Sequence, residues 1–220
     1  MGAADATPGT ADADTSLDGA GSGVTLVQRV SNSLAMGTTL SVIFPAPPTS
    51  GHVLVLVGGT NIGQIASITG GSAAWTRAAF STVYPNIEIW FGLTGASSTV
   101  TITATSLTGL TLSVSEWSGL ATANTLDTAT AMAGASSPAS AGTIVTSFAP
   151  DLVIFGVADY TPNTFGTPNG GSWTTLDTAM SNSIQTVWYQ VAPMAGTQGP
   201  QVSETLHMWD AAIAAFRTAP

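Results

Sequence analysis

Apolar and polar residues alternate with a period of two over many short stretches of this chain, the spacing of a β-strand with one covered face. Thr99-Val100-Thr101-Ile102-Thr103-Ala104-Thr105 alternates without a break. Ile87-Glu88-Ile89-Trp90-Phe91 puts Ile87, Ile89 and Phe91 on one face and Glu88 and Trp90 on the other. The pattern predicts strands over residues 24–30, 39–44, 53–57, 74–78, 87–91, 99–105 and 110–117. Pro45, Pro47-Pro48-Thr49-Ser50-Gly51, Gly58-Gly59 and Gly70-Gly71 punctuate them as turns. Further strands are predicted over 143–148, 152–157, 172–176, 184–189 and 208–216, with 129–142 as a loop or linker. No long window carries a 3.6-residue apolar period.

The second set of strands repeats the first. His52-Val53-Leu54-Val55-Leu56-Val57 returns as Asp151-Leu152-Val153-Ile154-Phe155-Gly156. Trp75-Thr76 returns as Trp173-Thr174, Ile89-Trp90-Phe91 as Val187-Trp188-Tyr189, and Glu116-Trp117-Ser118, more loosely, as Ala215-Phe216-Arg217. All four recur at a spacing of about one hundred residues. The alanine-rich run Asp210-Ala211-Ala212-Ile213 invites a helix, but it falls opposite Thr111-Leu112-Ser113-Val114 in the repeat and is therefore read as a strand.

Many short strands separated by turn residues predict an all-β protein, an antiparallel β-sandwich. Two similar halves, 38–120 and 143–217, suggest a jelly-roll type in which each half gives strands to both sheets. Two separate small barrels are the alternative, but each half is thin for an independent core. One domain over 23–220 is expected.

Two of these strands, 53–57 and 152–155, are apolar at every position, so both faces should be covered. If Ile87, Ile89 and Phe91 face the core, Trp90 points away from it, and so does Trp188 in the second copy. An outward Trp needs a cover: a loop, the N-terminal arm or another chain. The other possibility is that both lie inside, with the sheets covered on both sides.

Composition narrows the functional classes. Hydrophobic residues make up 44% of the 220, enough for a sizeable core, while charged residues are only 7%, against about 25% in ordinary soluble proteins. So bare a surface favours an assembled state. The net charge is −9, and the only cationic side chains besides histidine are Arg29, Arg77 and Arg217. Phosphate recognition depends on Lys and Arg, so nucleic acid and anionic membranes are poor partners. The absence of cysteine removes disulfides and thiolate metal sites. No apolar run is long enough for a transmembrane helix, and the N-terminus lacks the pattern of a signal peptide. Residues 1–22, rich in Ala, Gly, Asp and Thr, read as a flexible arm. Asp12, Asp14 and Asp18-Gly19 only faintly resemble a calcium loop and lack its distal Glu.

Candidate chemistry is sparse. His52 and His207 stand at non-equivalent repeat positions and neither accompanies a G-x-S-x-G elbow. Two separated histidines with scattered carboxylates do not announce a zinc site, so no metal or cofactor is expected. Glu88, Glu116, Asp159 and Glu204 lie in or beside strands and are the carboxylates a glycosidase would draw on. Any β-protein of this size offers as many, and no enzyme activity is expected. Aromatic and amide residues in Asp159-Tyr160-Thr161-Pro162-Asn163 and Tyr84-Pro85-Asn86 have the flavour of a glycan-binding loop. Trp90, Trp188, Tyr160 and Asn163 are thus the candidate contact surface.

The residues His52 to Val57, Trp75-Thr76, Trp90-Phe91 and Ser115-Glu116-Trp117-Ser118-Gly119, with their second copies, resemble a duplicated jelly-roll-like β-sandwich domain of bacteriophage virion proteins and bacterial surface proteins. The resemblance covers roughly residues 38–217. It implies a structural subunit of a virus particle, a capsid decoration or tail component, whose partners are copies of itself and other virion proteins. It carries over no catalytic residue. An adhesive, carbohydrate-binding module is the alternative.

Overall fold

The computed structural model describes residues 23–159, 165–180, 184–205 and 207–220. The expected arm 1–22, together with Tyr160 and Asn163, lies outside them. The described chain is all β. The first half holds β1 (Thr25–Ile43), β2 (Val53–Thr60), β3 (Ile65–Gly70), β4 (Thr76–Phe80), β5 (Asn86–Leu93) and β6 (Thr99–Ser118). The second holds β7 (Leu126–Gly134), β8 (Ala139–Ser140), β9 (Ile144–Thr146), β10 (Asp151–Asp159), β11 (Thr174–Met180), β12 (Ile184–Ala192), β13 (Gly196–Gln198), β14 (Gln201–Val202) and β15 (Trp209–Arg217). The alanine-rich 211–216 is a strand, as the repeat required: it is flanked by β10 and β7 and buried on both faces.

All pairings are antiparallel, and the two main sheets have the orders β1-β6-β2-β5-β4 and β11-β12-β10-β15-β7. They pack face to face as a β-sandwich. Each is built wholly from one half of the chain, which corrects the expectation that each half feeds both sheets. The residues expected as a linker, 129–142, instead contain the end of edge strand β7 and all of β8. Ala, Ser and Gly signal turns in sequence, but here pairing with β15 holds the backbone up to Gly134 and pairing with β14 holds β8.

The register of the two sheets agrees in detail. Val53 lies opposite Leu93 and Trp117; its counterpart Leu152 lies opposite Val191 and Phe216, the counterparts of both. The bulge between Arg77 and Ala79 recurs between Thr175 and Asp177. Another, where Leu26 faces Trp117 and Gln28 faces Glu116, recurs where Leu126 faces Phe216 and Thr128 faces Ala215.

Two pairs of contacts across the sandwich are arranged as a twofold relation would arrange them, the counterpart of j touching the counterpart of i where i touches j. Phe91 meets Phe216 edge-on at 5.5 Å, and Tyr189 meets Trp117 at 5.0 Å. Asp210 accepts from the Ile87 amide at 3.1 Å; the counterpart pair, Thr111 and Gln185, is hydrogen-bonded at 2.9 Å.

Alternation then sorts the core into three layers. Between the sheets lie Val53, Val55, Val57, Ile87, Ile89, Leu152, Ile154, Val187, Ala212 and Ala214. The opposite faces of the same strands do not reach water. Leu54, Leu56, Leu110, Leu112 and Val114 pack under Leu40, Val42, Val100 and Ile102, which belong to the outer arms of β1 and β6. Val153, Phe155, Val157, Trp188 and Ile213 pack under Ala139, Ala141, Ile144 and Val202. The outer layers also correspond: Val42 opposite Val100 is matched by Ile144 opposite Gln198. The all-apolar strands 53–57 and 152–155 are thus covered on both faces, as expected, and the chain itself supplies the cover.

Candidate functional site

Trp188 is 2% exposed, stacked on Phe155 at 5.6 Å and flanked by Phe165. It faces away from the inter-sheet core, as its position predicted, but into the second outer layer. It is therefore not a surface contact residue: Phe165 and the two-stranded sheets β8–β14 and β9–β13 of its own half cover it. Trp90 is half-buried against the first outer layer, donates to Glu88 at 3.0 Å, and lies 5.3 Å from the Arg77 guanidinium. Of the loop Tyr84-Pro85-Asn86, Tyr84 is exposed, whereas Asn86 is buried and donates to the Ser81 carbonyl.

The candidate carboxylates fall into two kinds. Glu116, on β6, is fully buried and saturated: it accepts from Gln28 at 2.5 Å, from the Thr49 amide at 2.8 Å and from His52 Nδ1 at 2.7 Å. The turn 45–52 brings His52 and Thr49 over the end of β2, so one carboxylate ties β1, β6 and that turn together. Glu88 is equally buried, held by the Ile65 amide, Trp90 and Arg77. Burial raises its carboxyl above the usual range, against the pull of these partners.

Asp159 and Glu204 are the second kind. They come together with His207, three side chains whose oxygen and nitrogen atoms lie within 4.8 Å of one another. Asp159 ends β10, while Glu204 and His207 sit in the segment leading into β15, which pairs with β10 through Trp209 opposite Asp159. The spacing Glu204-x-x-His207 was visible in sequence, but Asp159 is distant and only the sheet joins them. Burial lifts the Glu204 carboxyl above its ordinary range, with neighbouring Asp159 adding to the effect.

Two further buried acids were not singled out from sequence. Asp210 is pushed up to about 8 by burial between the sheets. Asp151 is pushed up to about 7 by burial and by neighbouring Asp127. Neither Asp151 oxygen has a hydrogen-bond partner. Their signal was the repeat: Asp210 stands where the first half has Thr111, and Asp151 where it has His52.

Two open grooves of about 310 and 390 Å³ occupy matching places in the two halves. Ala74, Gly92 and Leu93 line one, and their counterparts Ser172, Gln190 and Val191 line the other. Asn124, at φ 52°, and Thr125 close the first, while Met194 and Gln198 flank the second. Neither groove is lined by a carboxylate, a histidine or an arginine.

The distribution of charge is the most unusual property of the surface. Glu88, Glu116, Asp151, Asp159, Glu204 and Asp210 are buried; Asp127, Asp177, Arg29, Arg77 and Arg217 are half-buried. Among the described residues no Asp, Glu or Arg is exposed, and there is no Lys. Large apolar side chains do reach the surface. Met36, Leu107 and Ile62, 62%, 62% and 54% exposed, gather at one end. There Gly37 faces Thr108 across β1 and β6, and the Ile62 amide donates to the Thr108 hydroxyl.

Comparison with family models, curated proteins and solved structures finds no match to the chain. No helix among the described residues is long and apolar enough to cross a membrane.

Proposed function

We propose that this protein is a non-enzymatic structural subunit of a virus particle, a phage capsid decoration or tail-associated protein, that acts through contacts with copies of itself and other virion proteins. One observation carries the reading: the described surface presents no exposed Asp, Glu or Arg. A freely soluble domain keeps roughly a quarter or more of its surface charged, which holds copies apart. Among the described residues the charges go to buried and half-buried joints such as Gln28–Glu116–His52 and Arg77–Glu88. What the described residues leave exposed is mostly Ser, Thr, Gly and apolar groups, Met36, Ile62 and Leu107 among them, a skin that loses little hydration when another protein covers it. The resemblance supplies the particle, and the matched registers support reading the halves as one duplicated unit.

The test is to band particles from the source culture on a density gradient and measure the chain in each fraction by mass spectrometry. It should co-migrate with intact particles and resist a high-salt wash. Recovery only in the particle-free fractions would overturn the proposal.

The matching grooves support a second reading, an adhesin or glycan-binding module, since both are open and lined by uncharged groups that include Thr, Ser, Asn and Gln. It predicts binding on a glycan array that weakens in Gln190→Ala; a blank array would remove it.

A further inference from the structure

The geometry points to a divalent transition-metal site, of the zinc class, formed by Asp159, Glu204 and His207. One imidazole and two carboxylates are an ordinary ligand set for such an ion, with a position left over for water. His207 Nδ1 stands 3.9 Å from Asp159 Oδ2. Two ligands on a tetrahedral ion are about 3.4 Å apart, given metal–ligand distances of about 2.1 Å. Closing the gap therefore needs only a small side-chain adjustment.

Three observations point to a cation here. Asp159 is fully buried and Glu204 is 9% exposed, so the two carboxyl groups are turned inward beside one imidazole. Glu204 Oε1 has no hydrogen-bond partner, and neither has His207 Nδ1. A buried carboxylate oxygen and a buried imidazole nitrogen, neither of them hydrogen-bonded and both in one cluster, are the atoms a metal would take. The His207 side chain is 41% exposed, which leaves an entry path.

The first half supplies the third observation. Asp159 and His207 stand where it has Thr60 and Thr108, and Glu204 falls at Thr105 or Ser106. All four hydroxyls bond the short segment 62–64: Thr60 to the Gly63 carbonyl, Thr105 from the Gln64 amide, Thr108 from the Ile62 amide and Ser106 to the Ile62 carbonyl. In the first half this place is a hydroxyl clasp at the end of the central strand. In the second half the same place carries three metal-grade ligands. A bound ion would pin the segment entering β15 to the end of β10, doing with one ion what the hydroxyls do with several hydrogen bonds.

The test uses the full chain without an affinity tag, stripped with chelator and titrated with Zn²⁺ by calorimetry. One equivalent should bind, and a hundredfold excess over Kd should raise the Tm by about 5 °C or more. His207→Ala, at a partly exposed position, should keep the metal-free Tm and lose both effects. Glu204→Gln should lose them too; should it fail to fold, His207→Ala decides alone. No binding to the wild type, binding that persists in His207→Ala, or binding of Ca²⁺ but not Zn²⁺ would each overturn the assignment.

Discussion

Single residues in this protein are legible mainly by what they must neutralise. Glu116 illustrates it: the sequence places it before Trp117 in a strand and leaves open whether it works on a substrate or on the fold. Three donors converge on it, so it works on the fold. Glu116→Ala would strand Gln28, the Thr49 amide and His52 at a buried site and should lower stability by about 3 kcal/mol in urea unfolding. A loss under about 1 kcal/mol would show that the joint is not needed.

Asp210 and Asp151 give a second prediction at this scale. Both titrate near 3.8 when unfolded, and at about 8 and about 7 when folded. Between those limits the folded chain keeps protons that the unfolded chain has released, so stability falls as pH rises from about 4 to about 8. With chelator present, the urea midpoint should be higher at pH 5 than at pH 8, and Asp210→Asn should flatten the slope. A midpoint that rises with pH would contradict the buried, neutral state of these acids.

At the scale of elements, alternation was enough to find the strands and even to orient them. Ile87, Ile89 and Phe91 do face the inter-sheet core, with Trp90 and Trp188 on the other side. Alternation says that a face is apolar; it does not say which segment covers it. Here the covers are the outer arms of β1 and β6 in one half and the small two-stranded sheets β9–β13 and β8–β14 in the other. Their strands are two or three residues long, too short to show a period, and they pair segments far apart in the chain. The correspondence of β7 with β1 was hidden for a related reason: the two strands share a bulge and a register but few residue types. The Asp159–Glu204–His207 cluster escaped because its parts are joined only by the pairing of β10 with β15.

If the second half covers itself, Trp188→Ala opens a cavity in the free chain and should cost about 3–5 kcal/mol. A change below about 1 kcal/mol would mean that Trp188 is solvated until a partner arrives.

For the whole molecule, a sandwich whose two sheets carry the same strand order, bulges and cross-contacts holds every ionic side chain of its described residues in a buried or half-buried place. The described outside is close to neutral. Neutral surfaces associate through apolar and hydrogen-bonded contact, which salt does not screen. The same chain with exposed, paired ions would associate less at high salt.

Sedimentation velocity of the purified full chain tests this most directly, over about 1 to 100 µM and at about 0.05 and 0.5 M salt. The account predicts species larger than the 22.0 kDa monomer that grow with concentration and persist at the higher salt. A monomer at every concentration, or an assembly that salt dissolves, would contradict it.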